Sequence, residues 1–129
     1  MSYNKQDLID YRLEKARQSL AEANAMADLK YWDTVSNRLY YACFYAITAY
    51  WAQTGIRAIT HKGIKSAFHK ELIKSGLMSK DLGKLYGDLF NKRQEADYKD
   101  FANFEASNIQ PLIQEAVIFV DKIEQIISP

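Results

Sequence analysis

Residues 31–55 read YWDTVSNRLYYACFYAITAYWAQTG, and this stretch settles the fold class. It holds no proline and no internal glycine, so nothing interrupts a helix from about Tyr31 to Thr54. Gly55 suits the left-handed position just past a helix end. Val35, Leu39, Ala42, Cys43, Ala46, Ile47, Ala49 and Tyr50 are apolar over more than one face, and Tyr40, Tyr41, Phe44, Tyr45 and Trp51 add aromatic rings around much of the girth. A helix this apolar all round is either central to a bundle or shared with a second chain. At 1.5 Å per residue it spans roughly 36 Å, the full width of a small domain. Alanines at 42, 46 and 49 let neighbouring helices approach closely.

Working outward, the preceding segment predicts a helix from about Lys5 to Leu29, with Asn4 as N-cap. Ile9, Leu13, Ala16, Leu20, Ala23 and Ala27 step by four and three along it, one stripe facing a core. A polar loop, residues 55–60, leads to a third helix over about His61–Ser75 with Ile64, Phe68 and Leu72 inward and Gly76 as its stop. Ser79 opens a fourth, about Lys80–Tyr98, with Leu82, Leu85, Leu89 and Phe90 inward. Residues 99–106 form an ordered loop packed by Phe101 and Phe104. The form Ser107-x-x-Gln110 reads as a capping box, with Pro111 in a first turn, for a fifth helix to about Ile127. Its inward stripe is Ile109, Leu112, Ala116, Val120, Ile123 and Ile127. No alternating strand pattern competes. The expectation is an all-α, antiparallel helical bundle of about five helices, and a single domain over residues 1–129.

The 129 residues suffice for one hydrophobic core, and 48% apolar with 26% charged residues excludes disorder. The lone Cys43 cannot form an internal disulfide, and its apolar neighbours mark a buried spacer thiol rather than a nucleophile. The first residues lack the apolar run of a signal peptide, and no stretch approaches the roughly 20 apolar residues of a membrane span. A cytoplasmic protein with no membrane association is expected.

Net charge is only +1, but it is unevenly distributed. Residues 57–93 carry nine Lys/Arg against three Asp/Glu, and residues 94–129 carry two against seven. The basic third is either a solvated face that helps the chain fold on its acidic third, or a surface for an anion such as RNA.

Familiar catalytic signatures are absent: there is no Gly-rich phosphate loop, cysteine pair or His-Glu-x-x-His helix. His61 and His69 are eight residues apart, about 12 Å along a helix axis, too far to share a metal ion. No metal and no cofactor are expected. Two clusters stand out. Arg93, Gln94, Glu95, Ala96, Asp97 and Tyr98 end the fourth helix, where Arg93 and Asp97 are i, i+4 and suit an intrahelical ion pair. Asn37, Arg38, Tyr41 and Tyr45 make a polar and aromatic seam on the second helix, either a buried tether or a stacking and phosphate platform.

Taken in order, the Ala-rich first helix, NRLYYACFYA (residues 37–46), THKGIKSAFHKELIKSGLM (60–78), KRQEADY (92–98) and DFANF (100–104) resemble the HEPN domain. This is the helical domain of prokaryotic toxin and nucleotidyltransferase-partner systems, here in its small standalone form ending in Arg-x-x-Ala-Asp-Tyr. The resemblance covers about residues 5–126. It implies a bundle that dimerises and, for many members, metal-independent RNA cleavage by an Arg followed four to six residues later by a His. Carried over by position, Arg93 matches the arginine, Asn91 or Asp88 the nearby polar group, and Tyr98 stands where the histidine would be. A phenol with a pKa of about 10 holds its proton near neutrality, so the usual acid–base account does not transfer to Tyr98. It remains able to donate a hydrogen bond to phosphate or to act as an acid, and Arg93 with Tyr98 is the catalytic pair that the resemblance implies. Asp97, Arg38, Tyr41, Asn37 and His61 are the further candidates for substrate binding. His61 is either a cap or core contact, or the missing imidazole if it lies beside Arg93.

Two functions follow. One is an RNA- or nucleotide-directed homodimeric module, toxin-like, with ribonuclease activity made doubtful by Tyr98. The other is a non-catalytic helical subunit that seats a partner protein such as a nucleotidyltransferase-type antitoxin.

Overall fold

The computed structural model describes residues 4–100 and 102–128. Among these, five helices and no strand are formed: α1 (Lys5–Asp28), α2 (Trp32–Thr54), α3 (His61–Phe68, continued by a π-helical turn over His69–Ile73), α4 (Lys80–Tyr98) and α5 (Ala106–Ile127).

Local chemistry accounts for most of the boundaries. Asn4 and Asp7 form a reciprocal capping box at the start of α1. The side chains of Thr60 and Ser79 accept from the backbone N–H groups of Gly63 and Leu82 and so open α3 and α4. Gly55 ends α2 in the left-handed conformation at φ 81°. Between α1 and α2 the same conformation falls on Lys30, at φ 62°, where a pair of tight backbone bonds (Lys30 N to Ala27 O, Tyr31 N to Met26 O) closes the helix end.

The fifth helix departs from expectation. Its cap is Glu105, paired reciprocally with Asn108, rather than Ser107 with Gln110. The helix therefore starts earlier and Pro111 lies in its second turn, not its first. Either motif satisfies orphan N–H groups of a helix start, two residues apart in register, and Asn108 prevails with a second bond, its amide donating to the Asn103 carbonyl at 2.9 Å. Phe104 packs on the core, whereas Phe101 lies outside the described residues.

The π-helical turn has a sequence cause. Ile64, Phe68 and Leu72 repeat every four residues, which in a 3.6-residue helix drifts about 40° per step. Local widening after Phe68 returns Leu72 to the buried side, and all three are buried.

Helices α1 and α2 pack as an antiparallel hairpin, tied by Lys5 to the Gln53 carbonyl, Arg12 to the Thr48 carbonyl at 2.7 Å, and Glu22 to Arg38. Helix α5 closes over both through Arg17 with Asp121 and Glu124, and through Gln53 with the Ile127 carbonyl. Helix α2 is central, as its all-round apolar character requires: Leu39, Tyr40, Ala42, Cys43, Ala46 and Ile47 are fully buried. Burial pushes the Cys43 thiol pKa up, so it is an inert spacer. Tyr86 and Phe119 are also wholly buried, and neither belonged to the stripes read from sequence.

Candidate functional site

The buried face of α4 carries Tyr86, Leu89 and Phe90, and Arg93 follows seven residues after Tyr86, two turns on and over the same face. This places a guanidinium at the rim of the core beside the aromatic middle of α2. The Arg93 Cζ stands 5.6 Å from the Tyr40 ring centre and 6.0 Å from that of Tyr41. The intrahelical pair expected with Asp97 is not formed: among the described residues no carboxylate lies within ion-pair distance of Arg93. The aromatic faces offer a half-buried cation an attraction that an exposed carboxylate in water does not match. Desolvation works against the charge of Arg93 but is outweighed by Tyr41, Tyr40 and Asp97, so its pKa is raised.

His61, the first residue of α3, meets this cluster from a third direction. Its ring lies tilted 4.8 Å from that of Phe44 and meets Tyr41 edge-on at 6.0 Å. Thr60 caps the helix here, and Gly63 is required for that cap, since a Cβ there would stand 2.8 Å from the Thr60 hydroxyl. His61 Nδ1 lies 2.7 Å from the Tyr40 hydroxyl, which in turn accepts from the Tyr86 hydroxyl at 3.4 Å. The buried Tyr86 hydroxyl has no other partner among the described residues, so the arrangement that satisfies every group runs Tyr86 to Tyr40 to Nδ1. In that arrangement the neutral imidazole carries its proton on Nε2 and presents a donor. Burial, then the nearby charge of Arg93, lower the His61 pKa and keep it neutral at pH 7.

Arg38 completes the seam. It is held by Glu22 at 3.2 Å and by the Asn37 side chain at 2.7 Å, with its Cζ 5.2 Å from the Tyr41 ring. The half-exposed Tyr41 therefore has two guanidinium groups against it.

Of the residues singled out from sequence, the structure brings together Arg93, His61, Tyr41, Arg38 and Asn37. Asp88 instead pairs with Lys84 at 2.9 Å, Asn91 and Asp97 are exposed, and Tyr98 is 81% exposed with no hydrogen bond or aromatic contact among the described residues. Tyr40, Tyr86 and Phe44 were not among the expected site residues. The seven-residue spacing of Tyr86 and Arg93 is the one sequence signal that linked the core to the rim. Among the described residues no cluster of three His, Cys, Asp or Glu could hold a metal ion, and no helix is long and apolar enough to cross a membrane.

Comparison with known proteins gives one family. A model described as "HEPN domain" matches residues 9–126. A "UPF0332 protein" of Thermotoga maritima is 34% identical over 124 residues, covering 96% of this chain and 94% of its own length. Another "UPF0332 protein", from Gloeobacter violaceus, is 30% identical over 93% of each chain. A protein of Methanocaldococcus jannaschii named "Putative toxin" is 27% identical over 88% of this chain and 77% of its own.

Proposed function

The chain belongs to the HEPN domain family, and on that premise we propose that it is a toxin-like module that binds RNA, seating a phosphodiester between Arg93, His61 and Tyr41. The carrying observation is the state of Arg93: charged, half-buried, held over two tyrosine rings and free of any carboxylate partner among the described residues. A guanidinium so placed keeps donors for a two-pronged bond to phosphate oxygens. The Nε2–H of His61 adds a neutral donor from a separate helix. The imidazole that family members carry on the arginine's own helix is thus supplied here from α3, while the exposed Tyr98 takes no part.

The resting tautomer favours binding over proton abstraction, because the nitrogen facing away from Tyr40 already carries a proton. Cleavage, if present, is metal-independent and needs that proton moved. The name of the Methanocaldococcus relative supports a toxin-like role, and on this proposal the module acts in the cytoplasm as a homodimer.

The test is anisotropy of a labelled single-stranded RNA at low salt, with cleavage followed in parallel in chelator. Arg93→Ala is expected to weaken binding about 10- to 100-fold, the scale of a charge-assisted hydrogen bond. Wild-type protein that neither shifts nor cuts RNA, or an Arg93→Ala protein that binds as well, refutes the reading.

One observation favours a second function, that of a partner-binding subunit. Ile59 is 95% exposed beside Ile56, Ala58, Phe44 and Tyr45, which line one open groove. Pull-down by a co-expressed nucleotidyltransferase, abolished by Ile59→Asp, separates it from the first.

A further inference from the structure

A second surface runs on from the Arg93 seat. Between α3 and α4 an open cavity of about 690 Å³ is lined by Lys62, Lys65, Ser66, His69, Phe90 and Gln94. A second, of about 570 Å³, shares Ser66 and His69 with it and adds Lys70, Ile73, Lys74 and Lys80. Gln94 adjoins Arg93 in the chain, and Lys62 adjoins His61, so the groove begins where the seat ends.

Its chemistry is one-sided. Five lysines line it and no carboxylate does. None of the five has an acidic partner within 4 Å among the described residues, although Lys84 on the same helix as Lys80 does. The Lys65 ammonium lies over the Phe90 ring, its Nζ 4.7 Å from the ring centre, a cation–π contact that holds the charge at the groove wall. Burial and the charge of Lys65 lower the pKa of His69, so that ring adds donor capacity without charge at pH 7. From Lys62 to Lys74 the helix advances roughly 18 Å, room for a few consecutive phosphates. A concave, elongated channel fits a strand. A membrane surface would instead call for a flat basic face rimmed by several exposed apolar side chains, and here the exposed lining residues are polar, with Leu77 the one exposed large apolar side chain near them among the described residues.

We infer that this lysine groove takes the sugar-phosphate backbone of the RNA flanking the Arg93 seat, without reading bases. The inference rests on the RNA reading above and extends it to strand length: affinity comes from a run of phosphates, with only one of them at Arg93. Binding therefore strengthens with RNA length until the groove is filled, and falls steeply with salt.

The experiment measures the salt dependence of RNA binding by the full chain carrying Lys65→Gln, Lys70→Gln and Lys74→Gln together. Each phosphate contact on a single strand contributes about −0.7 to the slope of log K against log salt, so the slope should shallow by about 2. Lys30→Gln, Lys99→Gln and Lys122→Gln make the same change in net charge elsewhere and should leave most of the slope in place. A dinucleotide should be indifferent to the groove substitutions and sensitive to Arg93→Ala. A groove variant with an unaltered slope, while Arg93→Ala still weakens binding, overturns the groove and spares the seat. An Arg93→Ala protein that binds normally, while the groove variant loses its slope, overturns the seat and spares the groove. Equal capture by phosphatidylserine vesicles, or equal competition by polyglutamate, at the same salt overturns the assignment to RNA.

Discussion

Tyr40 is the hinge of the hydroxyl chain, and replacing it with phenylalanine isolates what the chain does. The substitution removes one oxygen from a fully buried ring and leaves the packing with Phe44 and Tyr86 intact. It orphans the Tyr86 hydroxyl, which is also fully buried and has no other partner among the described residues. An unsatisfied buried hydroxyl costs about 2 kcal/mol, or roughly 8 °C in melting temperature for a domain of this size. His61 as a residue is half-exposed, so its imidazole can turn to recover a bond from water. Tyr86→Phe alone should cost only about 0.5–1 kcal/mol, since Tyr40 keeps its bond to His61. The double variant has no orphan, so it should be more stable than Tyr40→Phe alone, with a coupling of about 1 kcal/mol or more. Urea unfolding of the four proteins, with unchanged denaturant slopes, measures the cycle. Nitrogen-15 spectra of His61 should show the Nε2–H tautomer in the parent and a mixture in Tyr40→Phe. Additive losses in the double variant, or a parent tautomer protonated on Nδ1, would refute the direction of the chain.

Four further outcomes are expected. His61 and His69 both have folded pKa values below the ordinary histidine value, from burial first and then from Arg93 and Lys65 respectively. The unfolded chain therefore binds more protons around and below pH 6.5, so stability should fall as pH drops from 7 toward 5. Urea midpoints should show His61→Gln flattening that fall in part. Gly87 has open space where a Cβ would go, so Gly87→Ala should stabilise α4 by about 0.5–1 kcal/mol, whereas Gly83→Leu should destabilise because even a Cβ there meets the Ile73 side chain at 3.1 Å. The buried Ser36 hydroxyl has no partner among the described residues, so Ser36→Ala should be neutral or stabilising by about 1 kcal/mol in the same assay. Lys30→Gly should raise the melting temperature, since it relieves a left-handed conformation that costs a side chain about 1 kcal/mol.

The helices were legible because their signals are local. Asn4, Gly55, Thr60 and Ser79 sit at boundaries that short-range hydrogen bonds dictate, and the apolar stripes of α1, α3 and α5 report their buried sides directly. The start of α5 misled because two overlapping motifs, Glu105 with Asn108 and Ser107 with Gln110, offer the same capping bonds, and the choice depends on the loop before them. The site was legible only in part. Arg93 was found by resemblance and placed beside Asp97 by helical spacing, but which neighbour wins depends on Tyr40 and Tyr41 arriving from another helix. His61 lies 32 positions from Arg93, and no periodicity connects them. Tyr86 was passed over because a tyrosine within a leucine stripe carries no mark of where its hydroxyl points.

The widened turn over His69–Ile73 acts as a phase adjuster between two halves of one rod. Leu72 is anchored in the core, while His61, Lys62 and Lys65 ride upstream of the widened turn. Because the widened turn absorbs one residue beyond the regular repeat, excising a single position there, such as Lys70, would let the coil close to an ordinary α-helix with its two halves nearly in phase. The imidazole would keep its place beside the guanidinium. Removing a residue from the regular turns upstream, between His61 and Phe68, would instead rotate the imidazole by about 100° against the anchored half.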